Sequence, residues 1–200
     1  MKIMKKFFKI VLIIRYLFDR LTGFRFKIIS PICSKDEYLD IFQKAKKKEF
    51  KKIKSYFSYD YNKIKTWIDE LALVTQVVKK QSDINYQHGF ILYQELIEYI
   101  KKNRFTFLNI IETGTARGFS SIVMAKVLTD TKQDGQINTI DIIPSNIKMY
   151  WNCILDHEGK KTRYELLNGW EEQLKLINFL QGDSIKVMRK LPKKRVHFCF

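Results

Sequence analysis

The chain has 200 residues, 46% of them hydrophobic and 29% charged, which excludes a disordered or collagen-like protein and fits one domain with or without a helical extension. The net charge is +16, and Lys greatly outnumbers Arg. Because a lysine side chain recognises specific groups less well than an arginine side chain does, nucleic acid is not expected as a partner. The sequence contains no run of 18 uncharged apolar residues, so no transmembrane span is predicted. Its three Cys have no metal-binding spacing and no even count, which is typical of reduced thiols in a cytoplasmic protein.

The first predicted element is an amphipathic helix over residues 2–21. At 100° per residue its apolar side chains fall on one face and its lysines on the other. This pattern favours either peripheral contact with an anionic membrane surface or packing on the protein itself or on a second subunit. We therefore expect a cytoplasmic protein, with membrane association as the alternative. The apolar face consists of Phe7, Ile10, Val11, Ile14, Phe18 and Leu21.

Three further helices are predicted before any strand, over residues 36–57, 60–79 and 87–102. The first of these is strongly basic, and the second has apolar residues at steps of three and four. A polar break near residue 83 separates the first two from the third. We therefore predict an amino-terminal helical, basic region at 1–83 and a second domain at 84–200.

The pattern then changes to short apolar strands that alternate with helices. Strands are predicted at 105–111, 136–140, 177–180 and 195–200. This alternation predicts an α/β fold with a doubly wound, Rossmann-like parallel sheet, of which these are the first four strands. Since the last strand runs to Phe200 without a turn or polar tail, we expect the chain to stop inside it and to be inactive alone.

Acidic residues stand at or just past the carboxyl ends of three successive strands. They are Glu112, Asp141 and Asp183. Ligands of open parallel sheets bind beyond these strand ends, at the point where the strand order reverses. Three acids in equivalent places therefore predict one ligand site. The alternative for Asp141 and Asp183 is capping of the helices that follow.

The segment 112–118, Glu-Thr-Gly-Thr-Ala-Arg-Gly, is the sharpest signal in the chain. Gly114 and Gly118 flank a tight strand-to-helix turn, where glycine permits positive φ and close approach of a ligand. The dinucleotide pattern G-x-G-x-x-G fails, because Ala116 and Phe119 occupy its second and third glycine positions. The pattern E-x-G-x-(G/A)-x-G fits instead.

With the segments 139–141, 179–184 and 196–200 that follow in order, this motif resembles the class I S-adenosylmethionine-dependent methyltransferases, most closely the bacterial small-molecule and sugar O-methyltransferases. The resemblance implies that Glu112, Gly114 and Gly118 surround the methionine part of S-adenosyl-L-methionine. It implies that Asp141 accepts the ribose hydroxyls and that Asp183 binds the adenine amine. The other cofactor-binding residues it implies are Thr115, Ala116, Phe119, Ser120, Gly182 and Ser184.

The polar loop at 149–163 leaves the second strand and is predicted to lie over the ligand cleft. His157, Lys161 and Arg163 are its candidate substrate contacts, and a surface loop packed by Trp151 is the alternative. Asp156, His157 and Glu158 are consecutive, which disfavours a metal site among them.

The resulting hypothesis is a methyltransferase that acts on a hydroxyl of a small molecule or sugar. The resemblance implies that residues beyond Phe200 position the acceptor or a divalent metal, and no catalytic residue is assigned within the 200. The alternatives are a nicotinamide-dependent oxidoreductase or epimerase, and a non-catalytic lipid- or RNA-binding protein on the same scaffold. The sequence indicates no oligomeric state.

Overall fold

A computed structural model describes residues 28–48, 57, 61–191 and 196–200. The amphipathic segment predicted at 2–21 lies outside these residues. Three helices precede the first strand: α1 (Lys35–Lys46), α2 (Tyr61–Thr75) and α3 (His88–Lys102). The helix predicted at 36–57 begins at the right place but is shorter, since α1 ends at Lys46. Its first turn is capped by Ser34, whose hydroxyl accepts from the Glu37 amide at 3.2 Å. Residues 49–56 of the predicted helix lie outside the described residues.

Helix α2 also ends before its predicted limit of residue 79. The amides of Gln76 and Val77 both donate to the carbonyl of Ala72, which closes the helix. The chain then runs to Lys79, whose backbone N–H and C=O both pair with the side chain of Asn152, each at 3.0 Å. The residues after Thr75 are thus held by a side chain far along the sequence rather than by helical hydrogen bonds.

The sheet has four parallel strands in the order β3-β2-β1-β4, with helices on both sides, which confirms the predicted α/β, Rossmann-like class. The strands are β1 (Leu108–Thr113), β2 (Gly135–Asp141), β3 (Ile177–Gln181) and β4 (Phe198–Cys199). The strand order reverses between β1 and β4, which places the expected ligand crevice at the carboxyl end of β1.

The connections between strands are helical. Helix α4 (Phe119–Thr131) joins β1 to β2, and α7 (Ser184–Met188) follows β3. The long connection from β2 to β3 contains a 3₁₀ helix (Ile154–Glu158), α5 (Arg163–Leu166) and α6 (Glu171–Leu174). Because α4 is covered on nearly every side, most of its residues from Phe119 to Leu128 are buried, and its sequence is apolar all round rather than amphipathic.

One hydrophobic core joins the helical region to the sheet. It contains Tyr38 of α1 and Ile68 of α2 together with Ile110 of β1 and Ile137 of β2, all fully buried. A small second core lies under the 149–163 loop, around Trp151, Cys153 and Leu166. The division at residue 83 remains a prediction, but the two sides of that boundary are packed together.

Candidate ligand site at the carboxyl edge of the sheet

The turn between β1 and α4 forms the centre of the site. Three of its residues have left-handed backbones: Gly114 (φ 85°), Ala116 (φ 49°) and Gly118 (φ 89°). A Cβ added at Gly118 would lie 2.8 Å from Leu167 Cδ1, so glycine is needed there for packing as well as for φ. A Cβ at Gly114 would meet nothing within 4 Å. Gly114 therefore faces open space at the place where the sequence predicted a ligand.

Glu112 lies beneath this turn, inside β1 rather than past its end, because the strand begins and ends later than predicted. Its carboxylate is 1% exposed and accepts hydrogen bonds from the hydroxyls of Ser120, Ser121 and Thr139. Thr139 gives its only proton to Glu112, so at 2.5 Å it accepts from Thr115. Glu112 thus ties β1, β2 and α4 together below the turn.

The electrostatics of Glu112 reflect two opposing effects. Burial raises the pKa of this carboxyl, while the hydroxyl donors and the nearby Arg163 guanidinium lower it, and burial dominates. The predicted role of Glu112 as part of the wall around the cofactor stays a prediction. Its hydrogen bonds indicate that Glu112 would affect a ligand indirectly, by holding the turn in shape.

Asp141 ends β2 and is half-buried beside the turn. One carboxylate oxygen accepts from the Ala116 amide at 2.6 Å and the other from the Ile143 amide at 2.9 Å. Its carbonyl accepts from the Gly182 amide at 2.8 Å. Asp141 therefore links the ends of β1, β2 and β3, and each carboxylate oxygen retains a lone pair for a further donor.

Asp183 follows β3 and caps α7, since its carboxylate accepts from the Lys186 amide at 3.0 Å. The capping alternative is thus realised for this residue, which is exposed and has acceptor capacity left. Gly182 beside it has φ 146°, and Ser184 begins the helix. The structure thus brings the predicted residues of the three strand ends to one edge of the sheet.

The candidate substrate residues of the 149–163 loop are placed differently from one another. His157 is exposed, and its Nε2 lies 2.8 Å from the Cys33 carbonyl next to α1. Lys161 pairs with Glu158 at 3.0 Å, and its backbone pairs with that of Met149. Substrate contact by these two remains a prediction.

Arg163 was predicted as a substrate contact but is 1% exposed. Its Nε donates to the Ala116 carbonyl at 2.9 Å and its Nη2 to the Ile143 carbonyl at 3.2 Å. It therefore binds, from below, the two residues whose amides hold Asp141. These bonds indicate that Arg163 positions the site, and its burial does not favour direct contact with a substrate.

Sequence reasoning gave no role to Arg117, the residue between Ala116 and Gly118. Its Nε donates to the Trp151 carbonyl at 2.6 Å, which joins the turn to the 149–163 loop. Burial lowers the pKa of its guanidinium, and the nearby Asp156, Cys153 and Tyr38 raise it. An arginine within a turn made mostly of small residues and glycines was the available signal.

Two of the cavities in the described residues bear on where the ligand site lies. The larger, about 410 Å³, lies between α2, α3 and α4, where Lys126 already pairs with Asp130 at 2.5 Å and the Tyr93 hydroxyl bonds to Asp130 at 2.6 Å. A smaller cavity of about 140 Å³ borders the turn at Ala116 and Arg117. The smaller one adjoins the strand ends, where the fold places ligands.

Within the described residues, no group of three or more His, Cys, Asp or Glu side chains could hold a metal ion. Over the same part of the chain, no helix is long and apolar enough to cross a membrane.

No family model matches the chain, and a search of curated proteins finds no match. Among solved structures it is similar to MNMC2 from Aquifex aeolicus, with 13% identity and a TM-score of 0.35 over 66% of this chain and 38% of that one. This chain thus spans well under half of that protein's length. The strand order and the connections described above show the α/β, Rossmann-like fold.

Proposed function

We propose that this protein binds S-adenosyl-L-methionine and transfers its methyl group to a hydroxyl of a small molecule or sugar. The observation that carries the proposal is the pairing of an open, left-handed Gly114 with the Asp141 carboxylate at the ends of adjacent strands. The sequence resemblance assigns the same two positions to the methionine part and the ribose of this cofactor.

The residues present fit such a ligand. Asp141 is held by two backbone amides and keeps acceptor capacity for two hydroxyl donors, which a ribose supplies. The space in front of Gly114 allows the ligand to approach the backbone. Asp183 on the next strand end is exposed and has acceptor capacity for an amine.

The bound cofactor would supply an electrophilic methyl group on a sulfonium. The protein's contribution is orientation: Asp141 and the turn hold the donor while Arg163 and Glu112 hold the turn. Holding donor and acceptor in line can lower the barrier by roughly 7–11 kcal/mol.

The experiment compares Gly114→Ala with Gly159→Ala by calorimetric titration with S-adenosylhomocysteine and, separately, NADH. Both glycines have positive φ, at 85° and 103°, and both have open space where the new Cβ would lie. Both variants therefore lose stability through backbone strain, of order 1–3 kcal/mol. Only Gly114→Ala should lose S-adenosylhomocysteine binding, by tenfold or more.

Gly159→Ala is the control for loss of binding through instability alone. Equal binding of S-adenosylhomocysteine by the parent and Gly114→Ala would contradict the proposed site. Binding of NADH in preference to S-adenosylhomocysteine would replace the proposal with the oxidoreductase alternative.

A further inference from the structure

The 140 Å³ cavity beside the turn is mostly apolar and aromatic. Its walls come from the turn, the end of β2 and the 149–163 loop, with one residue from the segment before α1. A cavity of about 150 Å³ is large enough to hold one benzene ring. The lining residues are Ile28, Ala116, Arg117, Ile143, Met149, Tyr150 and Trp151.

Arg117 is the only charged residue among these lining residues, and it has no carboxylate within ion-pair distance in the described part of the chain. Its described side-chain hydrogen bond goes from Nε to the Trp151 carbonyl at 2.6 Å. A half-buried guanidinium has five N–H donors, so one bond to a neutral carbonyl leaves most of its donor capacity and all of its charge for another group.

Asp156 is the described carboxylate whose charge acts on Arg117, and its oxygens already accept backbone hydrogen bonds. Asp156 is 3% exposed, and its carboxylate accepts from the backbone amides of Trp151 at 2.7 Å and Cys153 at 3.2 Å. Arg163, on the other side of the turn, faces two acids, Asp141 and Glu112. One carboxylate thus acts on the charge of Arg117 where two act on that of Arg163, and Arg117 borders a cavity.

We propose that Arg117 and this cavity bind a flat, anionic group, such as an aromatic carboxylate, of the molecule that receives the methyl group. The identification of this ligand as the methyl acceptor rests on the proposed function, while the binding itself does not. Ala116 and Ile143 line the cavity and also donate the two amides that hold Asp141. A ligand in the cavity therefore lies next to the residues proposed to hold the cofactor.

The experiment titrates the 200-residue protein with benzoate and with benzamide at low ionic strength, using calorimetry. These probes have nearly the same shape and differ in charge. A bidentate guanidinium–carboxylate contact should make benzoate bind at least tenfold more tightly than benzamide. Arg117→Gln should remove that preference, and Arg117→Lys should keep part of it because the charge remains.

Arg104→Gln is the matched control, since it removes one positive charge from an exposed residue at the opposite edge of the sheet. It should leave the preference for benzoate unchanged. Equal binding of the two probes by the parent, or an unchanged preference in Arg117→Gln, would overturn the proposal. If Arg117→Gln does not fold, Arg117→Lys takes its place beside Arg104→Gln. A weaker preference for benzoate in Arg117→Lys than in Arg104→Gln then supports the proposal, and equal preferences in the two variants contradict it.

A parallel titration with S-adenosylhomocysteine separates this proposal from the proposed function. Benzoate binding without S-adenosylhomocysteine binding would retain the anion site and reject the methyltransferase. Where both bind, saturating S-adenosylhomocysteine should leave benzoate affinity unchanged. Competition between them would assign the cavity to the cofactor and overturn its assignment to the acceptor.

Discussion

Asp141 is the residue on which most of the proposed cofactor recognition depends. Asp141→Ala removes the acceptor of two ribose hydroxyls and should weaken S-adenosylhomocysteine binding by about 1–3 kcal/mol, or more if the groups are buried. Asp183→Asn should weaken it far less, because asparagine keeps an acceptor oxygen and is itself a good helix cap. Isothermal calorimetry of both variants measures the difference.

The control for Asp141→Ala is Asp134→Ala, which removes an exposed acid next to the other end of the same strand. It should bind as the parent does. Because Asp141 also accepts two backbone amides, thermal unfolding of each variant must accompany the titration. An Asp141→Ala protein that is folded and binds like the parent would refute the ribose assignment.

Glu112 predicts a dependence of stability on pH. Burial raises its pKa in the folded protein, so the protonated form is favoured on folding. The protonated carboxyl contributes its full stability to the fold below the unfolded pKa near 4.5, and this contribution is lost as the pH rises through the higher pKa of the folded protein. Glu112→Gln is neutral at every pH and should gain stability relative to the parent as the pH increases.

The measurement is the free energy of unfolding in urea for both proteins between pH 4 and pH 8. A difference that is constant across this range would show that the pKa of Glu112 is the same in the folded and unfolded chains. A difference of opposite slope would show that the hydroxyl donors outweigh burial.

At the scale of elements, the turn after β1 packs against Leu167, the residue that directly follows α5. Gly118→Ala places a Cβ 2.8 Å from Leu167 Cδ1 and also forces alanine into a left-handed backbone. Gly169→Ala has comparable backbone strain, at φ 107°, but meets no atom within 4 Å. Gly118→Ala should therefore be the less stable by about 1–3 kcal/mol, the usual cost of overpacking.

Thermal and urea unfolding of the two variants test this difference. Equal losses of stability would mean that Leu167 moves aside at little cost. Gly118→Ala should cost less stability in a Leu167→Ala background than in the parent, because the smaller side chain leaves room for the new methyl group.

The sequence predicted the order of strands and helices well, because alternation and apolar runs are local signals. It placed Asp141 at the end of a strand and the glycines in a left-handed turn correctly. Both can be recognised locally, because glycine favours positive φ and an acid directly after an apolar strand marks the strand's end. It misplaced β1, however, and so did not foresee that Glu112 would be buried under three hydroxyls. That burial depends on Ser121 and Thr139, which come from other elements.

Arg163 and Arg117 show the same limit. From the sequence, an arginine in a polar loop suggests a contact with substrate, whereas Arg163 is buried against backbone carbonyls of a distant turn. Arg117 lies in the best-recognised motif of the chain and was not singled out. In both cases the role follows from which loop packs over which turn, and no local pattern encodes that.

At the scale of the whole molecule, the amino-terminal helices and the sheet stabilise each other. The carboxylate of Asp69 in α2 is nearly buried and is bonded by Lys65 at 2.8 Å, by Lys46 of α1 at 3.3 Å and by the Tyr86 hydroxyl at 2.8 Å. The bond from Tyr86 crosses the predicted domain boundary at residue 83. Ile68 and Leu71 of α2 are also fully buried in the core that α2 shares with the sheet.

This packing predicts how a shortened chain will behave. A chain that begins at Asp83 loses α1 and α2 and exposes the faces of α3 and α4 that they cover, so it should fail to unfold cooperatively and should not bind S-adenosylhomocysteine. A chain that begins at Ile28 keeps every described contact of α1 and α2 and should retain binding. Circular dichroism on heating and calorimetric titration compare the two with the 200-residue protein. Cooperative unfolding and full binding by the chain from Asp83 would show that the sheet half is an independent domain and that its common core with α1 and α2 is dispensable.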